Sequence, residues 1–153
     1  MARWSEVEAE AHELAARARR ILDVHVNKTL ATLRRDGSPR VSAIEIEFVD
    51  GEMMMGSMWR AVKALDLLRD PRFSLHAAFG SELGDAKLAG RVEEITDPER
   101  VAVINGPKAP PSPSHLFRAD ITELVVTHIG EPADHLVIES WHAGRGIERL
   151  VRR

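Results

Sequence analysis

Residues 56–63 combine residue types that bind a phosphate group. Gly56 and Ser57 end a strand-like run, and a helical pattern follows within a few residues. The N-terminus of a helix offers unpaired N–H groups and the positive end of the helix dipole. Ser57 adds a hydroxyl group, and Arg60 and Lys63 add two positive charges three residues apart on one helix face. The pattern favours an anion site, and its alternative is a pair of ordinary solvated surface cations.

A second stretch, residues 141–146, has side chains suited to the wall of a ligand pocket. Trp141, His142 and Arg145 bring an indole, an imidazole and a guanidinium group next to flexible glycines. The alternative is a strand that ends with a tryptophan of the core and leads into an exposed basic tail. Trp59, beside the predicted anion site, is likewise either a pocket wall or an anchor of a dimer interface. The residue types do not decide between the alternatives for residues 141–146 or between those for Trp59.

Several classes of function lack support in the sequence. The chain has no cysteine, so it has no thiolate nucleophile and no zinc site built on sulfur. Its seven histidines show no metalloprotease spacing, and no metal site is expected. No nucleophile elbow, P-loop or dinucleotide fingerprint is present, and we predict no catalytic acid–base side chains. The formal net charge of -3 gives no cationic field for nucleic acid. Without a secretory signal or an apolar run of about 18 residues, the prediction is a cytoplasmic protein that does not enter a membrane.

The remaining sequence supplies the elements that must position these side chains. A length of 153 residues with 44% hydrophobic residues suits one domain with one core, spanning residues 1–153. Ser5 and Glu8 have the spacing of a capping box, and apolar residues then recur every three or four positions, which predicts a helix over about residues 5–23. A second helical pattern has Ala61, Ala64, Leu65 and Leu68 as its buried face. Pro98 begins a third, short helix.

Between the helical patterns, apolar and polar residues alternate with the period of two that is typical of strands. The predicted strands cover residues 29–33, 40–48, 53–55, 73–79, 86–95, 117–126 and 136–142. A type I′ turn is predicted at Asp36 and Gly37, a proline-rich loop over about residues 106–114, and a basic tail over residues 144–153. Six to seven antiparallel strands with peripheral helices predict a mainly β (α+β) chain that forms a small barrel.

Two runs of sequence resemble a known family. Residues 51–57 read GEMMMGS and residues 63–75 read KALDLLRDPRFSL, with Lys63 eight residues before Pro71. This pattern resembles the pyridoxamine-5′-phosphate oxidase-like family, whose fold is a split β-barrel, and weaker similarity extends over about residues 29–126. The resemblance implies that Ser57 and Lys63 hold the phosphate of FMN or of a deazaflavin of the F420 type. It also implies that the backbone of Val41, Ser42 and Ala43 contacts the isoalloxazine edge.

The resemblance carries further expectations about the site. Gly56 and Trp59 border it, Trp141 and Arg145 reach it from the C-terminal region, and Arg60 substitutes for an arginine that many relatives have where this chain has Val62.

The function implied is a flavin- or deazaflavin-dependent oxidoreductase that transfers a hydride to or from a small organic substrate. The alternative on the same fold is a non-catalytic carrier or sensor that binds flavin or haem. A homodimer with two sites at its interface is expected, and Met54 and Trp59 are predicted to supply its apolar surface.

Overall fold

The computed structural model describes residues 2–78, 82–108 and 113–153. In these residues the chain forms the helices α1 (Trp4–Glu10), α2 (His12–Asp23), α3 (Val62–Arg69) and α4 (Pro98–Asn105), the last followed by a 3-10 turn, Gly106–Lys108. The strands are β1 (Asn27–Leu33), β2 (Pro39–Val49), β3 (Glu52–Met58), β4 (Arg72–His76), β5 (Asp85–Glu94), β6 (Ser114–Ile129), β7 (Leu136–His142) and β8 (Gly146–Arg152).

Six of the described strands close into an antiparallel barrel. Their order is β3-β2-β1-β4-β5-β6, and pairing of β3 with β6 completes the circle. The barrel is split because β6, at 16 residues, is longer than either neighbour on that side. Its first part, from Ser114 to Ala119, pairs with β3, whereas its last part, from Glu123 to Ile129, pairs with β7. The predicted mainly β split barrel with peripheral helices is confirmed.

The eighth strand was not predicted. Strand β8 lies in the expected basic tail and pairs with β7 from His142↔Gly146 to Leu136↔Arg152. It is an edge strand that is exposed almost along its whole length, so its sequence has no buried face to produce an alternating pattern. Strand β6 also begins earlier than predicted, because its first residues pair with the end of β3. The predicted fourth strand ends at His76; its last position, residue 79, and residues 109–112 of the proline-rich loop lie outside the described residues.

The apolar third strand is covered on both sides, as its sequence predicts. Met53 and Met55 face the barrel core, while Met54 belongs to a smaller cluster outside the barrel with Ile95 and Leu116, against which α4 packs. Met54 is 1% exposed, so the prediction that it contributes to a dimer surface is wrong.

The type I′ turn predicted at Asp36 and Gly37 is wrong, and the hairpin at Asp50 and Gly51 has that geometry instead. Asp50 and Gly51 both have positive φ, at 51° and 75°, and join β2 to β3 as a type I′ turn does. At the first hairpin Gly37 has a φ of 86°, while Asp36 instead accepts hydrogen bonds from the backbone and hydroxyl of Ser38. The loop there is longer than two residues, because β1 ends at Leu33 and β2 begins at Pro39.

The N-terminal helical region is a helical hairpin and not one helix. The chain leaves helical geometry at Ala11, with φ −138° and ψ 53°, so that α1 lies against β3 and β6 while α2 lies over β5, β6 and β7. The first helix is capped at Arg3, whose N–H donates to Glu6, and not at Ser5, whose N–H donates to the Gly51 carbonyl. The two helices share one core with the barrel.

Candidate functional site

A groove of about 450 Å³ opens on the outer surface of the barrel between β2 and β3. Its lining comprises Glu45, Ile46 and Glu47 of β2, Met54, Gly56, Ser57 and Met58 of β3, Leu116 of β6 and Asn105 at the end of α4. The buried side chains of Met54 and Leu116 make its floor apolar. The carboxylates of Glu45 and Glu47 lie on the exposed face of β2 and make its rim acidic.

The groove lies where two paired strands separate. The ladder between β2 and β3 runs from Val49↔Glu52 to Ile46↔Met55, and the next residues along the two strands, Glu45 and Gly56, line the groove. Beyond this point β2 stays paired with β1 and β3 stays paired with β6. The facing backbone edges are therefore held rigidly, and their polar groups are placed to bind a ligand.

Gly56 leaves open space in the middle of this groove. Its backbone is extended within β3, and a Cβ atom built there meets no heavy atom within 4 Å. A side chain would thus project into the groove without a clash. Glycine at such a strand position allows a ligand to approach the backbone closely.

Lys63 connects the start of α3 to β2. Its ammonium Nζ donates to the backbone carbonyl of Ala43 at 2.8 Å, across 20 residues of sequence. Ala43 and Val41 lie on the exposed face of β2, and the half-buried Ser42 lies opposite Leu30 of β1. Among the residues that the structure describes, no carboxylate pairs with Lys63. Two segments that the sequence assigned to one site therefore meet, and a cation without a counter-ion lies at their junction.

The segment between β3 and α3 corrects the local expectation for Ser57. Strand β3 continues to Met58 and α3 begins only at Val62, so Ser57 is a strand residue and not the start of a helix. It shares the inward face of β3 with Met55, lies opposite His115 of β6 and is 9% exposed. Its Oγ has only a long hydrogen bond, 3.4 Å, to the Met58 carbonyl.

The turn at Trp59 and Arg60 is fixed by His115, a residue that the sequence did not single out. Arg60 has a φ of 59°, and its N–H donates to His115 Nε2 at 3.2 Å. The guanidinium group of Arg60 is exposed and has no partner within the described ranges. Trp59 is 53% exposed and stacks on His115, with ring centroids 4.6 Å apart. In the sequence His115, Phe117 and Ala119 occupy every second position, and this alternation is the signal that could have shown that β6 begins before residue 117.

A buried carboxylate fixes α3 on the barrel. Asp66 accepts hydrogen bonds from Thr32 of β1 at 2.8 Å and Arg40 of β2 at 2.7 Å, and Arg69 of the same helix lies 3.1 Å away. Burial raises the pKa of Asp66, but the bonds from Arg40, Thr32 and Arg69 outweigh it and lower that pKa below its usual value.

The predicted buried face of α3 is only partly confirmed. Ala64 is buried and Ala61 packs against the core, but the helix also buries Asp66 and Leu67, whereas Leu65 and Leu68 are exposed.

Comparison with known proteins gives matches in structure only. No family model matches the chain, and no curated protein does. A pyridoxamine 5′-phosphate oxidase-related, FMN-binding protein from Nostoc punctiforme PCC 73102 superposes with a TM-score of 0.66 at 16% identity, covering 96% of each chain. A heme-binding protein from Mycobacterium smegmatis gives a TM-score of 0.57 at 16% identity, covering 91% of this chain and 87% of its own. An F420 reductase gives 0.55 at 18% identity, covering 69% and 94%.

The chain has the split β-barrel fold of the pyridoxamine 5′-phosphate oxidase-related proteins. The match with the Nostoc protein covers nearly the whole chain, so it includes the helical hairpin as well as the barrel. The resemblance on which the sequence interpretation depends is thereby confirmed at the level of the fold.

In this split barrel the C-terminal candidates do not line the groove. Trp141 is 1% exposed, belongs to the core and donates from Nε1 to Glu10 Oε2 at 2.9 Å. Arg145 is exposed in the turn between β7 and β8, and neither residue lines the groove. The placement of Trp141 fits the alternative of a core residue that ends a strand.

Two further features of the split barrel concern metals and membranes. Across residues 2–78, 82–108 and 113–153, no group of three or more histidine and carboxylate side chains is placed to hold a metal ion. In the same ranges, none of the helices is both long enough and apolar enough to cross a membrane.

Proposed function

We propose that the groove between β2 and β3 binds FMN, or a related F420-type deazaflavin, and that the protein catalyses hydride transfer to or from a small organic substrate. The observation that carries the proposal is the position of Lys63, a cation without a carboxylate partner among the described residues, which contacts Ala43 two residues along β2 from Glu45 of the groove lining. An ammonium group in this state binds a phosphate by charge-assisted hydrogen bonds. The fold neighbours that bind FMN or act on F420 support the same ligand class.

The residues present fit such a group. The groove has the size of small-molecule sites, which are about 300–1,000 Å³. Lys63 would hold the phosphate, assisted by Ser57 and by the exposed guanidinium group of Arg60. The open space at Gly56, and the edges of β2 and β3 that no longer pair with each other beyond Ile46 and Met55, would admit a flat ring next to the backbone. Trp59 would cover the ring from the side of the turn.

The groove offers no histidine and no cysteine among its lining residues, and its two glutamates are exposed. When bound, the cofactor ring supplies the hydride chemistry, which leaves the protein to bind and orient it. The apolar floor of Met54 and Leu116 would exclude water from one face of the ring.

The protein is also proposed to be a homodimer with the groove at its interface. Large apolar side chains are exposed on β2, at the end of β3 and in the turn after it, and on the outer face of α3: Val41 68%, Met58 80%, Trp59 53%, Val62 53% and Leu65 40%. Exposed apolar residues grouped in this way mark interaction surfaces. A partner subunit is also the route by which a C-terminal residue such as Arg145 would reach the groove. The cytoplasmic location stays a prediction.

Titration of the purified protein with FMN, F420 and riboflavin tests the proposal. A hydrogen bond to a charged group is worth roughly 1.5–3 kcal/mol, so Lys63→Ala is expected to weaken FMN binding about 10- to 100-fold. Riboflavin, which has no phosphate, is expected to bind both forms equally. Lys87→Ala, at an exposed lysine of β5 far along the sheet, is the matched control. Unchanged affinity of the folded Lys63→Ala variant for both FMN and F420 would reject the phosphate assignment.

Turnover separates an enzyme from the non-catalytic alternative. An oxidoreductase is expected to convert many equivalents of a small organic substrate per bound cofactor. A carrier or sensor binds the cofactor without such turnover, and a haem spectrum after reconstitution would favour that second function, in line with the heme-binding neighbour.

A further inference from the structure

We infer that His115 is a positioning residue for the groove, which holds the turn between β3 and α3 in the one conformation that sets Trp59 and Lys63. The part of this inference that concerns ligand binding rests on the proposed function. The part that concerns the turn itself does not.

The two ring nitrogens of His115 have different and directed partners. Nδ1 lies 2.7 Å from Oε1 of Glu94 on β5, and Nε2 accepts the backbone N–H of Arg60 at 3.2 Å. Acceptance at Nε2 places the proton of a neutral ring on Nδ1, which then donates to the carboxylate. The His115 side chain is 4% exposed, so both bonds are protected from competing water.

The bond to Arg60 acts on a strained backbone. Arg60 has a φ of 59°, in the left-handed region that residues other than glycine, asparagine and aspartate adopt at a cost. Such conformations persist where surrounding contacts over-determine them, and they cluster at functional sites. Here the contacts are the hydrogen bond from Arg60 to His115 and the bond from the Ala61 N–H to the Met58 carbonyl at 3.1 Å.

The same ring also fixes Trp59. The Trp59 indole lies 4.6 Å from the His115 ring at an interplanar angle of 10°, and Phe117 lies 6.0 Å away on the same strand as His115. Although Trp59 is half exposed, one of its faces is therefore held against a buried ring. Its orientation at the end of β3 is set by β6 and not by the solvent-exposed turn itself.

The position of Lys63 depends on the same turn. It stands three residues after Arg60, in the first turn of α3, and its reach to Ala43 depends on the direction in which the chain leaves the turn. Ser57, on the other side of the turn, is the cross-strand neighbour of His115. His115 thus contacts Trp59 and Arg60 and lies opposite Ser57, and it acts on Lys63 through the backbone of the turn.

A structural role alone would not require this arrangement. A phenylalanine or leucine fills a buried position between two aromatic rings without burying two polar nitrogens and a partner carboxylate, which is costly unless both are satisfied. The polar contacts of His115 reach both β5 and the turn, so they link the rigid barrel to the segment that needs to be held.

The test uses His115→Gln and His115→Asn as a matched pair. The glutamine amide lies at the position of Nε2 and keeps an acceptor for the Arg60 N–H, whereas the asparagine amide lies at the position of Nδ1 and keeps only the partner of Glu94. Both variants lose the ring stack equally. Hydrogen exchange of the Arg60 amide, measured without ligand, is expected to be about tenfold faster in His115→Asn and close to wild type in His115→Gln.

Affinity for FMN and riboflavin gives the second readout. Because both variants lose the ring stack that orients Trp59, riboflavin affinity is expected to differ less than about twofold between them, whereas FMN affinity is expected to be about tenfold lower in His115→Asn than in His115→Gln. Equal Arg60 exchange in the two variants would overturn the positioning role, and so would equal FMN affinity in the two variants. If the wild type bound no flavin, the proposed function would fail, and the exchange result alone would decide the role of His115.

Discussion

The two ends of this barrel use the same residue type in opposite ways. Under the helical hairpin, Trp4 and Trp141 are each 1% exposed, and their indole N–H groups donate to Glu8 and Glu10. At the turn after β3, Trp59 is 53% exposed and is held by one stacked ring. The hairpin end closes a core, while the turn end keeps a large aromatic surface available.

The difference shows which contacts stabilise each end of the barrel. The hairpin end belongs to the main core, in which helices and barrel form one cluster of buried residues. The turn end depends on two polar contacts instead, namely His115 beneath Trp59 and Asp66 beneath α3. Variants at the buried residues of the first end and at Asp66 should therefore lower the free energy of unfolding, whereas variants at the exposed residues of the turn end should mainly change ligand binding.

The largest expected effect is at the hairpin end. Trp141→Ala removes a fully buried indole and leaves a cavity, so the free energy of unfolding should fall by about 3–5 kcal/mol. Urea unfolding followed by circular dichroism measures the change. Trp141→Phe keeps most of the volume and should lose much less. A loss below about 1 kcal/mol in Trp141→Ala would contradict the assignment of this residue to the core.

Asp66 gives the next largest effect. Asp66→Ala leaves Arg40 and Arg69, both partly exposed, without their carboxylate, and the expected loss is about 2–3 kcal/mol. The same urea experiment applies, with Asp70→Ala as the control because Asp70 pairs with Arg72 at the surface. Equal losses in the two variants would show that Asp66 does not anchor α3.

The contribution of Asp66 should depend on pH. Its pKa is lowered in the folded state, so its stabilisation is complete above its unfolded pKa of about 3.9 and is lost as pH falls through the folded pKa. The difference in unfolding free energy between wild type and Asp66→Ala should be constant from pH 7 to about 5 and shrink below about pH 4. A difference that grew on acidification would have the wrong sign.

Gly56→Val sharpens the comparison at the groove. Because a Cβ atom there meets nothing within 4 Å and valine suits a strand, unfolding should change by less than about 0.5 kcal/mol. The side chain enters the groove, so affinity for both FMN and riboflavin should fall about tenfold or more. This differs from Lys63→Ala, which should affect FMN alone. Unimpaired binding of both flavins would place the ligand elsewhere.

A small loss of stability is expected at Trp59. Trp59→Ala loses one stacked contact at a half-exposed position, which corresponds to about 0.5–1.5 kcal/mol. If Trp59 also lies in the proposed dimer interface, light scattering should show a shift towards monomer, while Trp141→Phe should leave the oligomeric state unchanged. A loss as large as that of Trp141→Ala would remove the contrast between the two ends.

The sequence by itself determined the mainly β barrel and most of its strands, and the family resemblance assigned Lys63 and the backbone of Val41, Ser42 and Ala43 to one site. These follow from local patterns: alternation marks strands with one buried face, and the run before Pro71 carries the family resemblance. The doubly apolar Met53 to Met55 likewise predicted a strand covered on both sides.

Only the tertiary structure decided the remaining features. Strand β8 has no buried face and hence no periodic signal in the sequence. The helix α3 buries Asp66, and a carboxylate can be buried there because Thr32 and Arg40, from strands distant in the sequence, donate hydrogen bonds to it. In the sequence His115 is one of seven histidines, and only the pairing of β6 with β3 places it beneath the turn. Such roles depend on partners far apart in the chain, and a local pattern of residue types carries no information about them.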